Sequence, residues 1–211
     1  MTDPYWNHNV HHHPAVLAAV PDGCGTALDA GCGDGLLARK LAGRAASVTG
    51  VDRSPQMIEL ARAHAQAPGN VVYLEADYLA DGSLAEGAYD FVCAVAVVHH
   101  APLEEAVNRL ARLTAPGGRL VIVGMAANRT VRDWLISACG LPASLLYTRR
   151  HGGKRGPVGM PMEDVHTSWT EIRQTAHRLL PGCVWRRTLL WRYVVVWDKP
   201  VPRDEPREGG S

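Results

Sequence analysis

"LDAGCGDG", residues Leu28 to Gly35, sets Gly31, Gly33 and Gly35 at alternate positions among Asp29 and Asp34, directly after a short apolar run. Glycines so placed let a backbone turn sharply and approach a ligand closely. A dinucleotide loop needs G-x-G-x-x-G, whose third glycine lets helix and strand pack beside a pyrophosphate. Here Leu36 holds that third place, and Asp34 turns negative charge toward the phosphates. A dinucleotide is therefore disfavoured. The nucleoside triphosphate loop, G-x-x-x-x-G-K followed by Ser or Thr, is absent, since Leu36 comes five residues after Gly31. The loop suits a cofactor that has no phosphate and carries a positive centre, for which Asp29 and Asp34 are tolerable neighbours.

Working outward, strand-length apolar runs alternate with helix-length segments. The runs are "TALDA", "SVTGVD", "VVYLEAD", "FVCAVAVV" and "RLVIVGM". That alternation predicts a parallel sheet flanked by helices. "PAVLAAV" (14–20) and "GLLARKLAGRA" read as helices, and "SPQMIELARAHA" opens with a Ser54 cap and Pro55 at the first helical position. "PLEEAVNRLARLTAPGG" puts Leu103, Ala106, Leu110 and Leu113 on one helical face, with Pro116, Gly117 and Gly118 as the stop. Further on, "TVRDWLISACG" reads as a helix and residues 149–166 as a Gly/Pro-rich basic loop. Ser168 and Glu171 form a capping box for the next helix. "CVWRRTLLWRYVVVWDKP" predicts an antiparallel hairpin. Residues 1–200 read as a single domain, with a lid segment at 1–20, substrate-side helices and a loop at 126–182, and a polar, disordered tail at 201–211.

The chain of 211 residues is 46% hydrophobic with a net charge of +1, enough for one sizeable core and without the field that gathers nucleic acid. The expected partner is a small-molecule acceptor, with no nucleic acid and no membrane. Five scattered cysteines with no CxxC pair read as reduced thiols, and no secretory or membrane-spanning stretch is seen. A cytoplasmic location is the expectation.

The motif resembles the first motif of class I S-adenosylmethionine (SAM)-dependent methyltransferases, and the likeness continues in register. "VTGVDRS" places Asp52 at the end of the second strand, 21 residues after Gly31, where the family holds the ribose hydroxyls. "YLEADYL" offers Asp77 and Tyr78 near the adenine. "YDFVCAVAVVHHAP" and "LTAPGGRLVIVG" are similar to the family's fourth-strand motif and the turn into its fifth. Small bacterial methyltransferases of the UbiE/type-11 kind also share the "HNVHHHP" (His8 to Pro14) flavour and the "LPG…RR…LLWRY…W" (Leu180 to Trp197) ending. The resemblance implies a Rossmann-like α/β fold: a seven-stranded, mostly parallel sheet with an antiparallel last strand and helices on both faces. It implies methyl transfer from SAM to an O, N or C nucleophile, leaving S-adenosylhomocysteine (SAH). The alternatives are a SAM- or SAH-binding protein of this fold that does not methylate, and a nicotinamide oxidoreductase.

Within this scheme Gly31, Gly33, Asp52, Arg53, Met57, Asp77, Tyr78, Ala94 and Val95 are the expected cofactor contacts, Met57 as an apolar wall under the adenine. Asp29 is read either as a structural acid capping the loop or as a water-mediated contact to the SAM ammonium. Tyr5, Trp6, His11 and His13 are expected in a lid, where aromatics shield a sulfonium and attract it. The lid's alternatives are a frayed terminus or a metal site at His8 to His13. No metal is expected, because neighbouring histidines in an extended segment face opposite ways. His99 and His100 follow the fourth strand and are the candidates for a general base. Arg149, Arg150, Lys154 and Arg155 meet an acidic substrate or a carrier's phosphopantetheine, or else belong to a solvated loop. Arg186, Arg187 and Arg192 read as an exposed, ion-paired strand face. Trp134, Trp169, Trp185, Trp191 and Trp197 line an aromatic acceptor pocket or fill the core.

Overall fold

The computed structural model describes residues 3–64, 68–80, 82–156 and 165–202. In chain order the elements are α1 (His13–Ala18), β1 (Thr26–Ala30), α2 (Leu36–Leu41), β2 (Ser47–Asp52), α3 (Pro55–Ala63), β3 (Val71–Glu75) and β4 (Tyr89–Val95). Then come α4 (Leu103–Leu113), β5 (Thr114–Gly124), α5 (Val131–Ala138), α6 (Gly140–Arg150), α7 (Trp169–Leu179), β6 (Val184–Thr188) and β7 (Arg192–Asp198). The strands form one seven-stranded sheet in the order β3-β2-β1-β4-β5-β7-β6. β1 to β5 pair in parallel, and β7 runs antiparallel to both β5 and β6. This is the Rossmann-like α/β fold that the sequence implied.

Period-two alternation along the strands sorts side chains onto two apolar layers. Leu28, Val92, Leu120 and Ile122 face α4 and α7, meeting Leu110, Leu113 and Ile172. Ala27, Phe91, Val121 and Val123 face the other way, onto Val16 of α1, Leu37 and Leu41 of α2, and Ile58 of α3. Strand order reverses between β1 and β4, so a crevice opens above the carboxyl ends of those strands.

Several local expectations need correction. The histidine run is helical: a 3-10 turn spans Val10–His12, and α1 begins at His13. Asn7 starts it, its side-chain oxygen accepting the Asn9 and Val10 amides at 2.9 and 3.0 Å. Arg149 and Arg150 end α6 and are not part of a loop. α6 itself was not foreseen. Pro116 to Gly118 lie within the span of β5 rather than ending a helix, and the β4–β5 register shifts between Tyr89 and Phe91. The Ser168–Glu171 capping box and the β6–β7 hairpin stand as expected. The middle of the 149–166 segment (157–164) and the tail from 203 onward lie outside the described residues, as does Asp81.

Candidate active site

A cavity of about 770 Å³ occupies the crevice at the carboxyl ends of the strands. Its glycine wall is built by backbone geometry. Gly31 and Gly33 line it with φ of 72° and 54°, and Gly35 opens α2 at 74°. A Cβ on Gly31 would come within 2.5 Å of Val97, and one on Gly35 within 2.6 Å of the Tyr73 ring. At Gly33 a Cβ would meet nothing within 4 Å, so this residue leaves open space beside the backbone.

Asp52, last in β2, fixes the other side of that space. Its carboxylate accepts the Gly33 amide at 2.9 Å through one oxygen and the Ser54 amide at 2.9 Å through the other. Ser54 caps α3 by accepting the Met57 amide, which turns Met57 under the cavity. Just past the end of β3, Asp77 accepts the Leu79 amide at 3.0 Å and stays at the wall, whereas Glu75 is exposed. Tyr78 also lines the wall; its hydroxyl is buried with no hydrogen-bond partner among the described residues. Arg53 lies at the same edge. Val95 reaches the cavity but Ala94 does not: it is fully buried in the sheet, because successive residues of a strand face opposite ways.

Beyond β4 the chain bends through Ala96, held at φ 56° with its amide on the Val123 carbonyl at 2.7 Å. A left-handed alanine is strained, and the bend seats Val97 against Gly31. A 3-10 turn at Val98–His100 then brings both candidate base residues to the cavity, half-buried, with ring centroids 4.0 Å apart.

Besides Ala94, four expected cofactor contacts stand away from the wall. Asp29 is 2% exposed behind the glycine loop. One of its oxygens accepts the Cys93 thiol at 3.5 Å, and the other has no hydrogen-bond partner among the described residues. Burial raises its pKa to about 7, the Cys93 bond opposing and the Asp52 charge adding to the effect. Tyr5 donates to Asp34 at 2.9 Å, tethering the N-terminal segment to the loop. His11 packs on Tyr147 with centroids 4.5 Å apart, and His13 is buried against Lys40. The helical turn spreads these rings around an axis, so Asn7, His8 and Asn9 supply the N-terminal contribution to the cavity instead. Trp6 is buried among His8, His11 and His151, stacked on the last at 4.9 Å. Its carbonyl accepts the Arg155 amide at 2.8 Å, joining the N-terminal segment to the chain after α6.

The arginines of the hairpin also differ from expectation. Arg186 is exposed, but Arg187 pairs with Asp133 at 3.1 Å and lies 3.7 Å above the Trp169 ring. Arg192 is buried in the cavity wall, with Met125 at the end of β5 close by in the lining and Lys154 and Arg155 at the mouth. None of the six tryptophans lines the cavity. Trp169 and Trp197 are in the core, Trp134 is exposed, and Trp191 stands behind His8 at 5.1 Å. Among residues whose role the sequence left unread, Asn7 and Asn9 had a signal in the Asn-x-Asn-Val turn, and Arg192 had none beyond its place at the hairpin's return.

Residues 28–122 match the family described as Methyltransferase domain. An uncharacterised methyltransferase of Mycobacterium tuberculosis is 34% identical over 207 residues, covering 94% of this chain and all of the relative. The ubiquinone biosynthesis O-methyltransferase of Serratia proteamaculans is 34% identical over 117 residues, 54% of this chain and 48% of that one. Among solved structures, a geranyl diphosphate C-methyltransferase of Streptomyces coelicolor, in complex with SAH, superposes with a TM-score of 0.62 at 14% identity, covering 90% of this chain and 77% of that one. The chain therefore belongs to the class I methyltransferases, whose cofactor is SAM.

The residues present fit that cofactor. The open space at Gly33 gives an unobstructed cradle, the Tyr78 hydroxyl has an unused donor in the wall, and Asp52 provides an acceptor suited to ribose hydroxyls.

Proposed function

We propose that this chain transfers a methyl group from SAM to an O, N or C nucleophile of a small molecule that enters beside His99 and His100. Asp52 carries the reading: its carboxylate bridges the Gly33 amide and the start of α3 at the mouth of an open glycine cradle. In this assignment Asp52 receives the ribose hydroxyls, Gly31 and Gly33 give backbone approach, Met57 lies against the adenine, and Asp77 and Tyr78 meet its edge. When bound, the cofactor supplies a methyl group on a cationic sulfur that leaves readily.

The protein's work is then alignment and exclusion of water. Val95, Ala96 and Val97 set the floor between the cofactor half and the acceptor half. His99 and His100 stand at that junction, where one of them takes the proton of an acceptor that must lose it. The segment from Tyr5 to Asn9, tethered to Asp34 and to Arg155, roofs the site. A SAM-binding protein that does not methylate is disfavoured by methyltransferase relatives that match over 94% of the chain.

The test is methyl release. Incubation with methyl-labelled SAM and a mixture of small oxygen, nitrogen and carbon nucleophiles is expected to give labelled product with stoichiometric SAH. Binding of SAM with no label transferred to any member of the mixture would contradict the reading.

A further inference from the structure

Arg192 is a buried cation whose partners are all neutral. It is 8% exposed, and Nε and one Nη donate to the Asn9 side-chain oxygen at 3.0 and 2.7 Å. The other Nη reaches the Leu190 and Trp191 carbonyls at 3.4 and 3.3 Å, both long for such bonds. A guanidinium has five N–H donors, so these four contacts leave at least one unused. No carboxylate lies within ion-pair distance among the described residues. Burial alone lowers the pKa to about 10, with no opposing acid to raise it. At neutral pH the group stays charged.

A buried charge without a counter-charge is costly, which is why interior arginines are nearly always paired with an acid. Arg109, the other buried arginine among the described residues, has the Glu86 carboxylate at 2.9 Å. Arg192 keeps its charge unneutralised where the wall meets the cavity.

Its place in the sheet says which half of the cavity it serves. Tyr193 pairs with Gly124 at the carboxyl end of β5, so Arg192, one residue earlier in the antiparallel strand, stands above that end. Asp52 and Asp77 belong to β2 and the exit of β3, on the opposite flank of the sheet order. The glycine loop lies between the two flanks. Arg192 is thus on the acceptor side, with Lys154 and Arg155 exposed at the mouth and Lys154 5.9 Å from the Trp191 ring.

The geometry points to an acceptor that carries a carboxylate, bound by Arg192 at the β7 end of the cavity and drawn in by Lys154 and Arg155. This rests on the methyltransferase reading above and names the substrate class for it. A carboxylate is favoured over a phosphate because one buried positive charge is balanced by one negative charge, and because a planar guanidinium suits a planar oxyanion. Asn9 orients the guanidinium, so the N-terminal roof and the anion subsite are one unit.

The experiment uses the full chain saturated with SAH, followed by thermal shift and titration calorimetry. Benzoate and succinate are compared with benzamide, succinamide and inorganic phosphate at equal ionic strength. Wild type is expected to bind the carboxylates at least tenfold more tightly than the matched amides, and more tightly than phosphate. Arg192→Gln is expected to abolish that preference while SAH affinity stays within about twofold, and Arg192→Lys to retain part of it. Equal responses to acids and amides, a stronger response to phosphate, or an Arg192→Gln protein that keeps the preference would each overturn the proposal. The ligand comparison on wild type decides even if Arg192→Gln fails to fold. Absence of SAH binding by wild type would instead count against the methyltransferase reading, so the two failures are distinct.

Discussion

The Asp52 carboxylate holds the Gly33 amide at 2.9 Å, so the end of β2 and the glycine loop after β1 form one rigid corner of the cavity. Because Gly33 has φ 54° and no neighbour where a Cβ would stand, its substitution separates strain from obstruction. Gly33→Ala is expected to cost about 1–2 kcal/mol for the left-handed backbone, which is a few degrees in Tm, and to weaken SAH binding at least tenfold by filling the cradle. Gly31→Ala meets Val97 at 2.5 Å and is expected to lower Tm more. Thermal denaturation with calorimetry checks both. Equal SAH affinity for Gly33→Ala and wild type would remove the cradle from the cofactor site.

The N-terminal histidines predict a loss of stability toward acid. Burial lowers His13 to about 3, helped by the Lys40 charge, and lowers His8 and His12 to about 4. An unfolded histidine takes a proton near pH 6.5, which the folded chain refuses until much lower pH. Their contribution is therefore complete above about 6.5 and declines as pH falls toward 4. His13→Gln, which has no such proton to bind, is expected to lose less Tm between pH 7 and pH 5 than wild type does. Parallel losses in the two proteins would contradict this.

Asp29 gives the opposite slope. Its folded pKa, raised to about 7 mainly by burial, exceeds the unfolded carboxyl value, so the folded state binds the proton more tightly. Its stabilising contribution is present at low pH and is lost as pH rises from about 4 to 7. Asp29→Asn keeps an oxygen for the Cys93 thiol and cannot ionise. The variant is expected to gain Tm relative to wild type at pH 8, with the difference shrinking toward pH 5. A constant difference across that range would show that Asp29 is ionised throughout.

Tyr5 tests the roof. Tyr5→Phe removes the 2.9 Å bond to the buried Asp34, a hydrogen bond to a charged group worth about 1.5–3 kcal/mol. Hydrogen exchange is expected to speed up at the Arg155 amide, which is bonded to the Trp6 carbonyl, while β1 and β4 amides keep their protection. Faster exchange in the strands as well would make Tyr5 a general stability residue.

Much of this was legible because local rules and the global fold agree. β1 and β2 have the limits that their apolar runs gave, and Ser54 with Pro55 opens α3 where caps require. The place of Asp52 at the end of β2 was legible from the apolar run before it, whereas its assignment to the ribose came from the family resemblance. α6 went unread, with Gly140 and Pro142 both in its first turn, where proline costs no hydrogen bond. The histidine run misled because Asn7 starts a helical turn that composition does not announce. Arg192 looked like a surface strand residue, since alternation along β7 says which face a side chain takes but not that a distant segment, through Asn9, covers it. Sites closed by segments far apart in sequence are the part that periodicity does not encode.

The proposed role of the Val98–His100 turn predicts a division of effects. Alanine at the histidine that serves as base, His99 or His100, is expected to lower kcat by about 10²- to 10⁴-fold while SAH affinity changes little. Unchanged turnover in both variants would mean that the acceptor needs no base from this turn.

The central claim is that the corner formed by Asp52 and Gly33 binds SAM. Titration calorimetry of wild type and Asp52→Ala with SAM, and with NADH as the rival ligand, tests it most directly. The account predicts saturable SAM binding by wild type, a loss of at least tenfold in Asp52→Ala with an unchanged circular dichroism spectrum, and no NADH uptake. NADH binding without SAM binding, or equal SAM affinity in the two proteins, would contradict it.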